Sequence, residues 1–223
     1  MAYKARLSAM LPTLINALRE TLFMVLSASL MTILIGIPLG IFIANLAAVD
    51  NKPVRGLYYI FFSLMHLAKF IPYLLIMLLF IPLMNWLINK HYSYSVASVI
   101  PLATAGILLL AHRIYTATFS LYNQWQATGK AMGASKFQTF WLIILPESLP
   151  EIITASSKTC ALMVGFSTIG GALGAGGLGQ LAIEKSINQT DPLVVLSSIA
   201  ILVVLQQLIE YTGNIVVRQT QPR

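Results

Sequence analysis

The sequence predicts an all-α membrane protein with five transmembrane helices. Three observations point that way. Of 223 residues, 57% are hydrophobic and only 9% are charged, whereas a soluble domain carries about 25% charge. Mean hydropathy is +0.80. One soluble core of this length could not hide so much apolar surface, because about a quarter to a third of the unfolded surface stays wet after folding. The apolar residues also come in continuous uncharged runs, not in the every-second-residue alternation of a membrane barrel. These features exclude an ordinary soluble enzyme, a disordered chain and a disulfide scaffold. Cys160, the one cysteine, can form no internal bridge and matches no zinc spacing.

A helix rising 1.5 Å per residue needs about 20 apolar residues to cross about 30 Å of hydrocarbon. The first such run is 21–49. The second is 70–89, extended backwards past Lys69 by 57–68. The third is 93–111, the fourth 159–183, and the fifth 193–209, which holds Gln206 and Gln207. Glycines and prolines inside the runs (Gly36, Pro38, Gly40, Pro72, Pro82, Pro101) are tolerated where neighbouring helices satisfy the freed backbone groups. Residues 1–20 do not read as a secretory signal. Lys4 and Arg6 are followed by Pro12, Arg19 and Glu20, with no small-residue cleavage site. The chain is therefore expected to be one transmembrane domain over 1–223.

Cations set the orientation. Lys52 and Arg55 follow the first run, Arg113, Lys130 and Lys136 the third, and Arg218 and Arg223 the fifth. They outnumber Lys4, Arg6, Arg19, Lys90 and Lys185 on the other side. The expectation is an N-terminus outside and a cytoplasmic C-terminus. The net charge of +7 then belongs to topology and anionic lipid. No nucleic acid is implied, since no basic stripe interleaved with aromatics occurs.

The longest polar interval is 112–151, and the part at about 124–146 carries the functional argument. Ala127, Ala131, Met132, Ala134 and Phe137 can form an apolar stripe at helical spacing. Gly133 is expected at a sharp turn where a Cβ would clash. Pro146 is expected to open the next helix after an extended Leu145. A short helix on the cytoplasmic face suits a groove on a soluble partner. It could also merely link two spans.

The spacing settles between these. Ala127, Thr128 and Gly129 are followed by Gly133, then by Ile143, Leu145 and Pro146. This resembles the EAA loop of permease subunits of binding-protein-dependent ABC importers, Glu-Ala-Ala with later Gly, Ile and Leu-Pro. Thr128 and Gly129 keep the small size, but Ala127 stands where Glu is usual and supplies no carboxylate. Further segments are similar to the methionine-importer permeases: Glu20-Thr21-Leu22, Gly36-Ile37-Pro38-Leu39-Gly40, Lys69-Phe70-Ile71-Pro72, 145–150, and the glycine-rich stretch 170–180. The likeness covers about residues 15–218. It implies a type I importer permease-like bundle in a bacterial cytoplasmic (inner) membrane, forming the pathway for methionine, D or L, by alternating access. Ala127, Thr128, Gly129, Ala131, Met132, Gly133, Phe137, Ile143, Leu145 and Pro146 would then form the ATPase-coupling loop. The implied partners are two ATP-binding subunits, which would bind ATP and Mg in place of any cofactor in this chain, and an extracytoplasmic substrate-binding (lipo)protein.

The glycine-rich stretch also contains a decoy. Gly174, Gly176 and Gly179 satisfy G-x-G-x-x-G, with Asp191 downstream, but a membrane span precedes them instead of a strand. Gly170, Gly171, Gly174, Gly176, Gly177 and Gly179 instead suggest close helix approach, or an unwound helix end at the pathway exit. Met163, Phe166 and Ile169 are candidates for an apolar gate, against plain bundle packing. No P-loop signature occurs, and His66, His91 and His112 abut predicted span ends, so no proton relay is indicated. Catalytic and metal-ligand constellations are also missing, so the chain is not expected to be an enzyme and its energy must come from a partner. Five helices make a thin bundle, so a symmetric homodimer with the pathway on its two-fold axis is expected. The alternatives are an ABC permease for another small amino acid or related cargo, a membrane scaffold, and a secondary transporter.

Overall fold

The computed structural model describes residues 2–48, 52–68, 71–187 and 191–220. Lys69 and Phe70, quoted above for their resemblance, lie outside the described residues. Every regular element among the described residues is helical: α1 Ala2–Ala48, α2 Lys52–Ala68, α3 Tyr73–Leu79, α4 Ile81–Asn89, α5 Tyr94–Ala131, α6 Lys136–Thr139, α7 Leu145–Ala172, α8 Gly177–Ile187 and α9 Pro192–Thr220. A π-helical turn, Phe140–Ile144, joins α6 to α7. The three pieces form one helix of 37 residues.

Among the described residues, four helices are long and apolar enough to cross a membrane: Met10–Ala47, Tyr94–Ala131, Lys136–Ala172 and Pro192–Thr220. They correspond to the first, third, fourth and fifth expected spans. The second is divided into α2, α3 and α4. The cause is proline. Pro72 precedes α3 in an extended conformation, ψ 137°, and Pro82 sits in the first turn of α4, where its missing N–H costs nothing. The boundaries of the long helices also differ from expectation. The third span does not stop at Ala111 but runs to Ala131, because residues 112–128 contain no glycine or proline to end it. His112 and Arg113 therefore lie in a helix interior. The fourth begins at Lys136 and ends at Ala172, within the glycine-rich stretch.

The chain divides into two compact units, Met1–Leu30 with Pro72–Ala105 and Cys160–Ile209, and Met31–Ile71 with Gly106–Thr159 and Glu210–Arg223. In the second unit α1 and α5 meet through Gly36 and Gly40. A Cβ on Gly40 would lie 2.8 Å from the Ala111 carbonyl oxygen and from Ile114 Cβ, closer than carbon atoms pack. Small residues four apart let membrane backbones approach in this way. Around them Ile43, Ala44, Met65, Tyr115, Tyr122, Phe140 and Ile144 form a buried cluster, and the Tyr58 and Tyr115 hydroxyls share a 2.8 Å hydrogen bond. In the first unit buried thioethers serve as acceptors. Ser98 Oγ donates to Met24 Sδ at 3.0 Å, and Ser29 Oγ to Met163 Sδ at 3.6 Å. Such soft contacts suit helices that carry few other polar groups. Large apolar residues such as Leu196, Val204 and Leu208 of α9 are exposed, and only 11% of that helix's apolar window is buried. So much bare apolar surface fits lipid or another subunit, not water.

Candidate functional site

The candidate loop is the tip of a helical hairpin, not a separate short helix. Residues 127–131 are the last turn of α5. They continue into it because nothing before Gly133 interrupts the helix. Gly133 takes φ +74°; its N–H bonds the Lys130 carbonyl and the Ala134 N–H bonds the Gly129 carbonyl, both at 3.0 Å. This is the left-handed glycine stop of a helix C-terminus. The expected turn is present, but its expected cause is not. No atom lies within 4 Å of where a Gly133 Cβ would stand, so it is the backbone angle that requires glycine.

Ser135 then starts α6. Its hydroxyl accepts the Gln138 N–H at 3.2 Å while Gln138 Oε1 accepts the Ser135 N–H at 2.9 Å. This capping box is legible in the sequence as Ser-x-x-Gln, and the reading above missed it. Leu145, expected to be extended, is helical at φ −64° and ψ −46°, so Pro146 lies inside a continuous helix. The π turn explains how. A proline clashes with the carbonyl four residues back and leaves it without a donor. The wider turn at Phe140–Ile144, closed by the Leu145 N–H on the Phe140 carbonyl, opens the helix just where that clash would fall.

Ala127, Thr128, Ala131, Met132, Gly133 and Phe137 are all exposed at the tip. Gly129 is buried, and a Cβ there would strike Thr139, so it closes the hairpin and does not face outward. Met132 is 63% exposed and Phe137 67%. Trp141, 6.0 Å from Phe137 between ring centroids, and Leu142 are exposed beside them and extend the apolar knob beyond the residues picked from the motif. Ile143 and Leu145 are half-buried and Pro146 is exposed.

The gate candidates all lie on α7, in the first unit. Met163 is fully buried, Phe166 stacks on Tyr73 with centroids 4.7 Å apart, and Ile169 is half-buried. The glycines lie further along. Gly170 and Gly171 end α7, and Gly174, Gly176 and Gly177 all take positive φ in the turn to α8. A Cβ on Gly171 would collide with the Gln180 backbone, and one on Gly179 would stand 2.6 Å from Thr168 Cα. Gly171 and Gly179 thus allow close backbone approach, whereas no atom lies within 4 Å of where a Gly174 Cβ would stand. Two residues of α1 hold the start of α8. Glu20 Oε2 accepts the Gly177 N–H at 2.7 Å and Thr21 Oγ1 accepts the Leu178 N–H at 2.8 Å. The Glu20-Thr21 pair, noticed only for its resemblance, caps the positive end of a helix 157 residues away. Local spacing could not have shown this.

The family model for the binding-protein-dependent transport system inner membrane component matches residues 36–210, and the chain belongs to that family. It is accordingly a multi-pass inner-membrane protein. It is 28% identical over 214 residues to the MetI protein of Vibrio cholerae serotype O1, named a probable D-methionine transport system permease, with 94% of this chain and 93% of the relative covered. The D-methionine permease MetI of Escherichia coli K12 is 26% identical over 158 residues, covering 71% of this chain and 72% of the relative. Among solved structures, an inward-facing form of the MetNI methionine ABC transporter superposes with TM-score 0.83 at 26% identity, covering 96% of this chain and 99% of that one. An amino acid ABC transporter crystallised with histidines shares the fold at TM-score 0.74 and 19% identity, over 96% of this chain and 97% of that one.

Proposed function

We propose that this chain is the permease subunit of an ATP-driven importer for methionine or a related small amino acid. In this reading two copies form the pathway on their two-fold axis, with the N-terminus outside and the C-terminus in the cytoplasm. Each copy docks one ATP-binding subunit through the α5–α6 tip, and ATP and Mg reside in that partner. A binding protein delivers cargo from outside. Closure of the ATPase pair drives the two tips together, and the long helices carry that motion to the pathway, a two-state change biased from both ends.

The observation that carries the reading is the exposed apolar tip, Met132 and Phe137 flanking a rigid glycine turn. An apolar knob on a helix end fits a partner groove. The methionine cargo rests on the names of the relatives and of the MetNI transporter. The test is ATP-dependent uptake of labelled methionine into vesicles carrying this chain, its ATPase and its binding protein, with other amino acids as competitors. Uptake that persists without ATPase under a proton gradient would sink the reading; displacement only by a different amino acid would replace the cargo. Phe137→Ala should reduce coupled ATPase activity about tenfold or more, the effect of removing an interface anchor, while the chain still folds, because Phe137 is largely exposed.

A further inference from the structure

Only 9% of the chain is charged, yet three charged residues line a single cleft within the second unit. The cleft, about 550 Å³, lies between α5 and α7 and is lined by His112, Arg113, Thr116, Glu151, Thr154 and Lys158. The volume is in the range of small-ligand sites. Both helices, at 38 and 37 residues, run well past the about 20 residues that cross the hydrocarbon, and the cleft lies where α5 has left its charge-free run 93–111.

Helix periodicity explains the convergence. Glu151, Thr154 and Lys158 recur at three- and four-residue steps on one face of α7, and Arg113 and Thr116 share a face of α5. The α5 face was concealed from a sequence reading that ended the third span at Ala111. The Arg113 guanidinium does not snorkel away. It donates to Thr159 Oγ1 at 3.2 Å, and that hydroxyl in turn donates to the Ala155 carbonyl at 2.7 Å. Lys158, from α7, lines the same cleft. Two cations therefore line one cleft, and an anion seated between them would lower their repulsion. Glu151 stands two turns away, about 10 Å along the helix, within the combined reach of the two side chains. No ion pair joins these groups among the described residues.

We propose that this cleft is a recognition site for a zwitterionic α-amino acid on the cytoplasmic half of the pathway. Arg113 and Lys158 meet the carboxylate, Glu151 meets the ammonium, and the Thr116 and Thr154 hydroxyls supply further hydrogen bonds. The ligand class rests on the importer reading, because the same anion–ammonium pattern occurs in a phosphatidylethanolamine headgroup.

The experiment is equilibrium binding of three probes to the full-length chain in phosphatidylcholine nanodiscs: methionine, methioninol, which lacks the carboxylate, and 4-(methylthio)butanoate, which lacks the ammonium. Lys158→Gln should weaken methionine and the butanoate about tenfold and leave methioninol unchanged. Glu151→Gln should weaken methionine and methioninol about tenfold and leave the butanoate unchanged, each being the loss of one charge-assisted hydrogen bond. Both side chains are exposed, so neither variant threatens folding, as Arg113→Gln could. Equal loss of all probes, or no loss, overturns the proposal. So does methionine binding that is absent from phosphatidylcholine discs while phosphatidylethanolamine binds in a Lys158-dependent manner, which assigns the cleft to lipid. If wild-type complex imports methionine but the chain shows no such binding, this proposal fails alone. If the probes discriminate as stated but the complex imports nothing, the importer reading fails and the site stands.

Discussion

Gly133 and His91 occupy equivalent places and invite opposite substitutions. Each follows a helix in the left-handed region, at φ +74° and +69°, and His91 repeats the same pattern of closing bonds, to the Ile88 and, through Tyr92, the Leu87 carbonyls. A side chain in that region costs about 1–2 kcal/mol, and glycine's extra unfolded-state freedom returns about 0.5–1. The difference decides the sign. His91→Gly should stabilise the chain by about 0.5 kcal/mol, and Gly133→Ala should destabilise it by a comparable amount although no atom obstructs the new methyl. Thermal unfolding in detergent measures both, and a stabilised Gly133→Ala would refute the backbone argument. Glu20→Ala removes the carboxylate that caps α8. A loss of about 1 kcal/mol is expected, read as faster hydrogen exchange at the Gly177 and Leu178 amides with α9 unaffected.

At the scale of elements, the long helix from Lys136 to Ala172 turns on one surplus residue. A π turn inserts one residue into an α-helix, here just before Pro146. Removing Leu142, which is 72% exposed, together with Pro146→Ala should convert the turn to ordinary helix while keeping Phe140 and Ile152 on the buried face. Removing Leu162 alone should rotate the rest of α7 by about 100° and prevent assembly. Monodispersity on size exclusion distinguishes the two, and equal failure of both deletions would mean the π turn is not a register device. The proline was legible in the sequence. The widened turn that accommodates it was not, because it depends on Phe140 and Ile144 finding a core.

For the whole molecule, the prediction concerns force transmission. The α5–α6 tip is rigid by construction: a glycine stop, a capping box, and Gly129 closed onto Thr139. Gly129→Val should clash with Thr139, splay the hairpin and uncouple ATP hydrolysis from uptake, while membrane insertion, set by the apolar spans, continues. Uptake and ATPase activity measured on the same vesicles check this. Unchanged coupling would remove the tip from the mechanism.

Composition and run length by themselves determined the class of this protein, since a chain with so few charges has only the bilayer as a compatible solvent. Gly133 and the EAA-like spacing located the tip, because both are local; the capping box was equally local but was missed. Three things needed the tertiary structure: the break of the second span at its prolines, the capping of α8 by Glu20 and Thr21, and the meeting of Arg113 with Thr159. Each joins residues that local periodicity treats separately, and packing alone decides which faces of two distant helices come together.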